Sequence, residues 1–336
     1  MNHTPAQATA PSFKPYRPPF ERRFLAPRFW GLWLGLGVIW LLSLWPQGWR
    51  SGLAGWVGRQ LYRRNRKRRE IIDTNLAWCF PELDNKQRRD LACEYYRYLI
   101  QSVLDYGVLW WGSPARVHQH VELRGLEHLQ RQLDSDRPVI IVTGHSPGLE
   151  RGGVGLALHR YPICSFANEA RNPMLEWLTL RWRTRFGGYV FPRSGGFRPV
   201  IKALRQGYLF YIMADEDLGP ESAEFAPFFG IPRATLTSPL RLARMTKAEV
   251  LTSFTWYDDA QQRYVMEIEP ALDGITDDDE LTGLTRLNQR LEQAIRRHPA
   301  QYMWSLRLFK TMQDGSPSPY FMKSRPGSGP RPRPQL

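Results

Sequence analysis

Residues 139–150 read Val-Ile-Ile-Val-Thr-Gly-His-Ser-Pro-Gly-Leu-Glu. The branched apolar run Val139 to Val142, followed by Thr143, predicts a short strand buried on both faces, as in the interior of a parallel sheet. Gly144, Pro147 and Gly148 then break the chain, and a helical pattern opens at Leu149. A buried strand, a sharp turn and a helix start form the front half of a β–α unit. In open sheets built from such units, ligands bind at the carboxyl ends of the strands. That turn carries His145, Ser146 and Glu150.

The same rhythm continues outward. Strands are predicted over 138–144, 161–167, 187–192, 208–214, 249–256 and 263–269, and helices over 148–160, 173–185, 197–206, 237–247 and 279–298. Strands separated by helical patterns of roughly 10–15 residues specify an α/β sheet. Upstream, 52–120 reads as helices, with Leu91, Tyr95, Leu99, Val103, Tyr106 and Trp110 forming a core-facing stripe. There is no internal repeat and no GxxxxGK[ST] phosphate loop; Arg193-Ser194-Gly195-Gly196 is too short to make one.

Two chemistries fit the turn. Gly144-His145-Ser146-Pro147-Gly148 matches G-x-S-x-G, the nucleophile elbow of serine hydrolases. In that elbow the residue after the serine donates its N–H to the oxyanion, and Pro147 has none. An HGGG-type loop is missing, and His159 and His298 have no supporting pattern. The other reading pairs His145 with Glu150 as H-x-x-x-x-E. A carboxylate on one imidazole nitrogen fixes the tautomer and leaves the other nitrogen free to take a proton from a hydroxyl. This is the His–acid half of a triad, with the substrate's own hydroxyl in place of the serine.

The flanks add a membrane signal. Phe29–Trp45, FWGLWLGLGVIWLLSLW, carries no charge. As a helix it would span about 25 Å, the short end of what crosses a bilayer. A buried soluble helix would show a polar face, and a secretory signal would carry a small-residue cleavage site. A single membrane anchor is therefore expected, with a helix lying in one leaflet as the alternative. Arginines on both sides (Arg22, Arg23 and Arg28; Arg50, Arg59, Arg63 and Arg64) leave the orientation unset. The run Arg59–Arg69, RQLYRRNRKRR, suits anionic lipid.

With 46 basic and 32 acidic residues the 336-residue chain has a net charge of +14 and should seek anionic partners. Thirteen tryptophans suit a surface where apolar rings meet water. No nucleic-acid motif interleaves the basic residues, which argues against a nucleic-acid partner. Cys79, Cys93 and Cys164 form no CxxC pair, so reduced thiols are expected rather than disulfides or a zinc site. The expected organisation is a Pro-rich disordered leader over 1–28, an anchor over 29–45, one folded domain over 50–315 and a disordered tail over 316–336.

HxxxxE is the signature of glycerolipid-type acyltransferases, and the wider chain resembles the late acyltransferases of lipid A biosynthesis, the lauroyl/myristoyl transferase family of the lysophospholipid acyltransferase superfamily. The resemblance runs through FLAPRFWGLWLGLGVIWLLSLWP (24–46), RKRREIIDTNLAWCFPEL (66–83) and HSPGLE (145–150). It continues in NPMLEWL (172–178) with Arg183, IKALRQG (201–207), MADEDLGPESAEFAPFFG (213–230) and PAQYMWSLRLFKT (299–311).

The resemblance implies an α/β fold, a glycerolipid-acyltransferase-like mixed sheet flanked by helices, with one N-terminal membrane helix. It implies transfer of a fatty acyl chain from acyl carrier protein to a hydroxyl of a lipid A precursor, an anionic saccharolipid. The place would be the bacterial inner membrane, with the site facing the cytoplasm, and neither cofactor nor metal is required. By residue match, His145 is the general base and Glu150 its orienting carboxylate, and the acceptor attacks the donor thioester directly. Arg183 stabilises the oxyanion or a phosphate, with Arg181 and Arg185 as neighbouring alternatives. Arg193 contacts acceptor phosphate. Asp215 and Asp217, a D-x-D pair that could bind metal, are expected instead to hold an arginine such as Arg183.

Ser146-Pro147-Gly148-Leu149 stands where the family often has larger apolar residues, which bears on acyl-chain access. Phe225, Phe228 and Phe229 suit an acyl channel and core packing equally. The alternatives are an acyltransferase for another lipid acceptor (a lysophospholipid, glycolipid or ornithine lipid), a hydrolase using Ser146, and a non-catalytic lipid-binding protein.

Overall fold

The computed structural model describes residues 18–167 and 170–320. The first part is helical: α1 (Trp30–Ser43), α2 (Gln47–Arg64), α3 (Arg66–Cys79), α4 (Asn85–Trp111) and α5 (Pro114–Gln119). Strands and helices then alternate: β1 (Val121–Arg124), α6 (Leu126–Asp134), β2 (Val139–Thr143), α7 (Leu149–Leu158), β3 (Ile163–Ala167), α8 (Pro173–Arg183), β4 (Tyr189–Pro192), α9 (Arg198–Leu204) and β5 (Leu209–Met213). A hairpin of β6 (Ala223–Phe228) and β7 (Ile231–Leu236) precedes α10 (Ser238–Thr246), β8 (Glu249–Asp258), β9 (Arg263–Ile268) and α11 (Glu280–Arg297).

Seven strands form one sheet in the order β1-β9-β8-β2-β5-β3-β4. All neighbours are parallel except β8 and β9, so the sheet is mixed, as expected. β2 lies between β8 and β5, and all five of its residues are buried. Successive side chains of a strand point to opposite faces. Ile140 and Val142 accordingly join Phe210, Ile212, Leu240 and Leu284 on one face. Val139 and Ile141 join Leu129, Leu156, Tyr211 and Met266 on the other. Cys79 and Cys164 are buried in the core and form no disulfide among the described residues.

Three elements stand outside the sequence reading. β1 is four residues long with two charges, and the short α6 follows it. The β6–β7 hairpin sets Pro227 opposite Pro232, a composition that argues against strands except in such an isolated ribbon. Its turn is made by Phe229 and Gly230, both at positive φ, as a two-residue hairpin requires. Phe228 and Phe229 are buried against Tyr302, Trp304 and Phe309, in the core.

The expected membrane anchor over 29–45 is corrected. The apolar run forms the 14-residue α1, about 21 Å long against roughly 30 Å of hydrocarbon. Pro46 then starts α2 in a new direction. Among the described residues, no helix is long and apolar enough to cross a membrane. Both helices instead pack along α4 at glycine contacts. A Cβ at Gly107 would lie 2.6 Å from the Ile39 carbonyl oxygen, and one at Gly58 would lie 2.9 Å from the Arg97 nitrogen. The outer side leaves Trp30, Leu34, Leu41, Trp45, Trp49 and Trp56 exposed. Of the expected leader, 1–17 lie outside the described residues. The rest folds as two 3-10 turns, with Phe24 buried against Met174 and Leu178. Of the expected tail, 321–336 lie outside the described residues, and the Tyr320 hydroxyl accepts from Phe309 N–H.

A buried ion pair fastens this helical layer. Arg50 of α2 and Asp105 of α4 are almost wholly buried, with Nε and Oδ1 3.1 Å apart. Arg50 Nη1 donates to the Ser43 carbonyl at the end of α1 (2.9 Å). Asp105 Oδ2 accepts from Gln101 (2.7 Å) and from the Tyr264 hydroxyl of β9 (2.9 Å). Removing one member strands a buried charge. Asp105→Ala should therefore cost about 3–5 kcal/mol in urea unfolding. The double variant Arg50→Met/Asp105→Leu should lose clearly less.

Candidate active site

β2 and β5 pair in parallel with Thr143 opposite Met213. Two residues beyond, the chains leave the sheet together, which sets His145 beside Asp215. His145 Nδ1 lies 2.6 Å from Asp215 Oδ1, and its backbone N–H donates to Oδ2 at 2.7 Å. One carboxylate thus fixes both the ring and its backbone. A carboxylate on Nδ1 keeps the proton there and leaves Nε2 as the free nitrogen. The His145 carbonyl accepts from Met303 N–H at 2.9 Å. Burial opposes the imidazolium, but Asp215, Glu216 and Glu150 outweigh it and raise His145 to about 9. Burial pushes the Asp215 carboxyl up, yet His145 holds it below the usual carboxylate range.

Glu150 sits in the first turn of α7 and meets the last residue of α8. Arg183 Nε lies 3.0 and 2.9 Å from its two carboxylate oxygens, and Nη2 also donates to Oε1. Burial would raise Glu150, but Arg183 holds it low and is itself raised. This corrects the expected partners: Asp215, not Glu150, holds His145, and Glu150, not the D-x-D pair, holds Arg183. Asp217 accepts from Thr311 Oγ1 (2.8 Å), Thr311 N–H and Gly219 N–H, tying the loop after β5 to the C-terminal segment. Arg193 stands after β4 with Nη1 3.9 Å from Glu216.

His145, Glu150, Arg183, Arg193 and Glu216 border a cavity of about 760 Å³. Its apolar wall comes from Leu99, Val103 and Tyr106 of α4, Phe166 of β3, Leu180 of α8 and Met213 of β5. Polar groups converging at one end of an apolar cleft are the ordinary form of a small-molecule site. Phe225, Phe228 and Phe229 are not among its lining residues.

Residues 17–311 match the model of the bacterial lipid A biosynthesis acyltransferase family. The chain belongs to this family. It is 32% identical over 300 residues to a lipid A biosynthesis acyltransferase of Haemophilus influenzae, covering 89% of this chain and 94% of that relative. It is 30% identical over 308 residues to the lipid A biosynthesis myristoyltransferase of Escherichia coli, covering 92% and 95%. Against the lauroyltransferase of the same organism the identity is 30% over 306 residues, covering 90% and 99%. The protein is therefore an acyltransferase.

Two site residues escaped the sequence reading. Arg151 of the acyltransferase is buried beside Glu150. Its guanidinium lies 4.3 Å from the Tyr106 ring and 4.6 Å from the Tyr264 ring, and Nη1 donates to Ser102 Oγ (2.6 Å) and the Pro147 carbonyl (3.3 Å). It clamps the turn after β2 to α4. A lone arginine before Gly-Gly-Val-Gly-Leu on a buried helix was the available signal. Glu216, between the two flagged aspartates, is 3.8 Å from His145 Nε2. Ser146 is buried, and its Oγ has no hydrogen-bond partner among the described residues. The other two candidate histidines are engaged elsewhere, His159 with the Gly155 carbonyl and His298 stacked on Trp256 at 4.1 Å.

The His145 shift has a stability consequence. Its pKa in the fold, about 9, lies above the ordinary 6.5. The stabilisation is thus fully present below about pH 6.5 and lost as pH rises through about 9. Urea unfolding of the wild type should lose about 2–3 kcal/mol more than His145→Ala across that window.

Proposed function

We propose that the protein transfers a fatty acyl chain from acyl carrier protein to a hydroxyl of a lipid A precursor, with His145 as general base. The observation that carries this reading is the His145–Asp215 pair at the strand ends, opening onto a largely apolar cavity. With the ring in its neutral form, the acceptor hydroxyl gives its proton to His145 Nε2 as its oxygen attacks the donor thioester carbon. Collapse of the tetrahedral intermediate expels the carrier thiolate, which takes the proton back from His145. Asp215 keeps the ring oriented and offsets the imidazolium charge.

Arg183 is the proposed oxyanion partner. Glu150 engages its Nε and Nη2, which leaves Nη1 to donate to the developing negative charge. Glu150 then acts by aiming Arg183 rather than His145. Arg193 at the cavity edge suits an acceptor phosphate. The exposed tryptophans of α1 and α2 suit a helical layer lying in one leaflet of the inner membrane, with the basic run Arg59–Arg69 against anionic headgroups and the site on the cytoplasmic side. Carrier protein rather than coenzyme A as donor rests on the family resemblance and the +14 charge.

Mass spectrometry of lipid A from cells lacking the gene tests the reading. One acyl chain should be missing. Wild type and Ser146→Ala should restore it, whereas His145→Ala and Asp215→Asn, each about 10²–10⁴-fold slower, should restore little. Unchanged lipid A beside a shifted phospholipid or aminolipid would move the acceptor to that lipid. Failure of Ser146→Ala alone would favour the serine hydrolase.

A further inference from the structure

The reaction just described leaves one buried cation unused. Arg233 projects from β7 and is 1% exposed. Its Nη2 donates to Asn288 Oδ1 of α11 at 2.8 Å, and its guanidinium carbon lies 3.9 Å from the centre of the Phe228 ring. Among the described residues, Nε and Nη1 have no hydrogen-bond partner. Among the described residues no carboxylate forms an ion pair with it. A guanidinium buried in this way is expensive unless negative charge lies close by.

The position of Arg233 indicates which charge that is. It lines a cavity of about 30 Å³ together with Gly144 and Ala214, the residues just before His145 and Asp215. Thr143, Thr252 and Ser253 line it near the strand ends, and Glu269, Asn288 and Arg290 border it as well. Asn288 fixes the hairpin in place by donating to the Pro227 carbonyl (2.9 Å) and Thr235 Oγ1 (3.0 Å). Two other carboxylates stand near Arg233. Glu269 is paired with Arg297 and Arg290. Glu292 is raised chiefly by burial, accepts from the Phe229 backbone, and is drawn down by Arg296 and then Arg233. Around the pair, Glu150 is engaged by Arg183, Glu216 faces His145 Nε2 and Arg193, and the Tyr302 ring borders Gly144. Against the pull of burial, His145 and then Arg233 draw the Asp215 carboxyl down.

We propose that Arg233 is a positioning residue for acyl transfer: its buried charge, set behind the sheet edge, holds Asp215 ionised and limits how tightly the His145–Asp215 pair keeps its proton. The inference rests on the reading of His145 as general base. It adds a function for the β6–β7 hairpin, which carries a cation to the back of the site.

The test uses the purified full-length protein with an acyl-carrier donor and a lipid A precursor, comparing wild type, Arg233→Gln and Arg233→Lys. Activity should rise with pH as His145 loses its proton near 9. Removing the cation should move that rise upward by about one pH unit. Arg233→Gln should then lose about tenfold in kcat at neutral pH, with KM unchanged, and regain most of it in alkali. Arg233→Lys should keep the wild-type profile. Gln and Lys variants equally impaired with unshifted profiles, or both folding poorly with unshifted His145 titration, would assign Arg233 to structure alone and overturn the proposal. Full activity in His145→Ala would instead remove the reading beneath it, whatever Arg233 does.

Discussion

The site depends on the register of two neighbouring parallel strands. β2 and β5 are far apart in sequence, yet Thr143 faces Met213 and both strands end there. Everything that makes His145 unusual follows from that alignment: the carboxylate on its ring, the same carboxylate on its backbone N–H, and a proton held well above neutrality. A shift of one residue would turn these side chains to opposite faces of the sheet. Register is strongly specified here because β2 is buried on both faces. The apolar core therefore sets the geometry of the polar site.

The second constraint is the separation of two acid–base pairs. Asp215 serves His145, and Glu150 serves Arg183. Each carboxylate keeps its charge despite burial because a cation stands against it. Arg151, held between Tyr106 and Tyr264, pins the turn that carries His145 and Glu150. Through Tyr264 and Ser102 this clamp reaches α4, and Asp105 continues it to Arg50 and the end of α1. The helical layer that exposes the tryptophans is thus connected by contact to the turn that carries His145.

Much of this was legible in the sequence. The six predicted strands all appear, because alternating β and α segments with apolar runs leave little ambiguity. The residues gathered at the site were also named from the sequence: His145, Glu150 and Arg183 border one cavity, and Asp215 meets His145. Their partners were not. Spacing along the chain made Glu150 the natural neighbour of His145, whereas strand order, which no local pattern reports, brought Asp215 closer. The hairpin was hidden by Pro227 and Pro232, and with it Arg233. The membrane helix failed for a different reason. An uncharged run shows what a segment avoids, but not that Pro46 redirects the chain or that Gly107 and Gly58 dock both helices on α4.

The account turns on which carboxylate holds the His145 imidazole, the proposed general base. NMR titration of His145 in wild type, Asp215→Asn and Glu150→Gln addresses it directly. In the wild type the ring should titrate near 9. Asp215→Asn should drop it towards the ordinary histidine value, since only the smaller pulls of Glu216 and Glu150 then oppose burial, and Glu150→Gln should move it only slightly. A large fall in Glu150→Gln with little change in Asp215→Asn would contradict the account and return Glu150 to the imidazole.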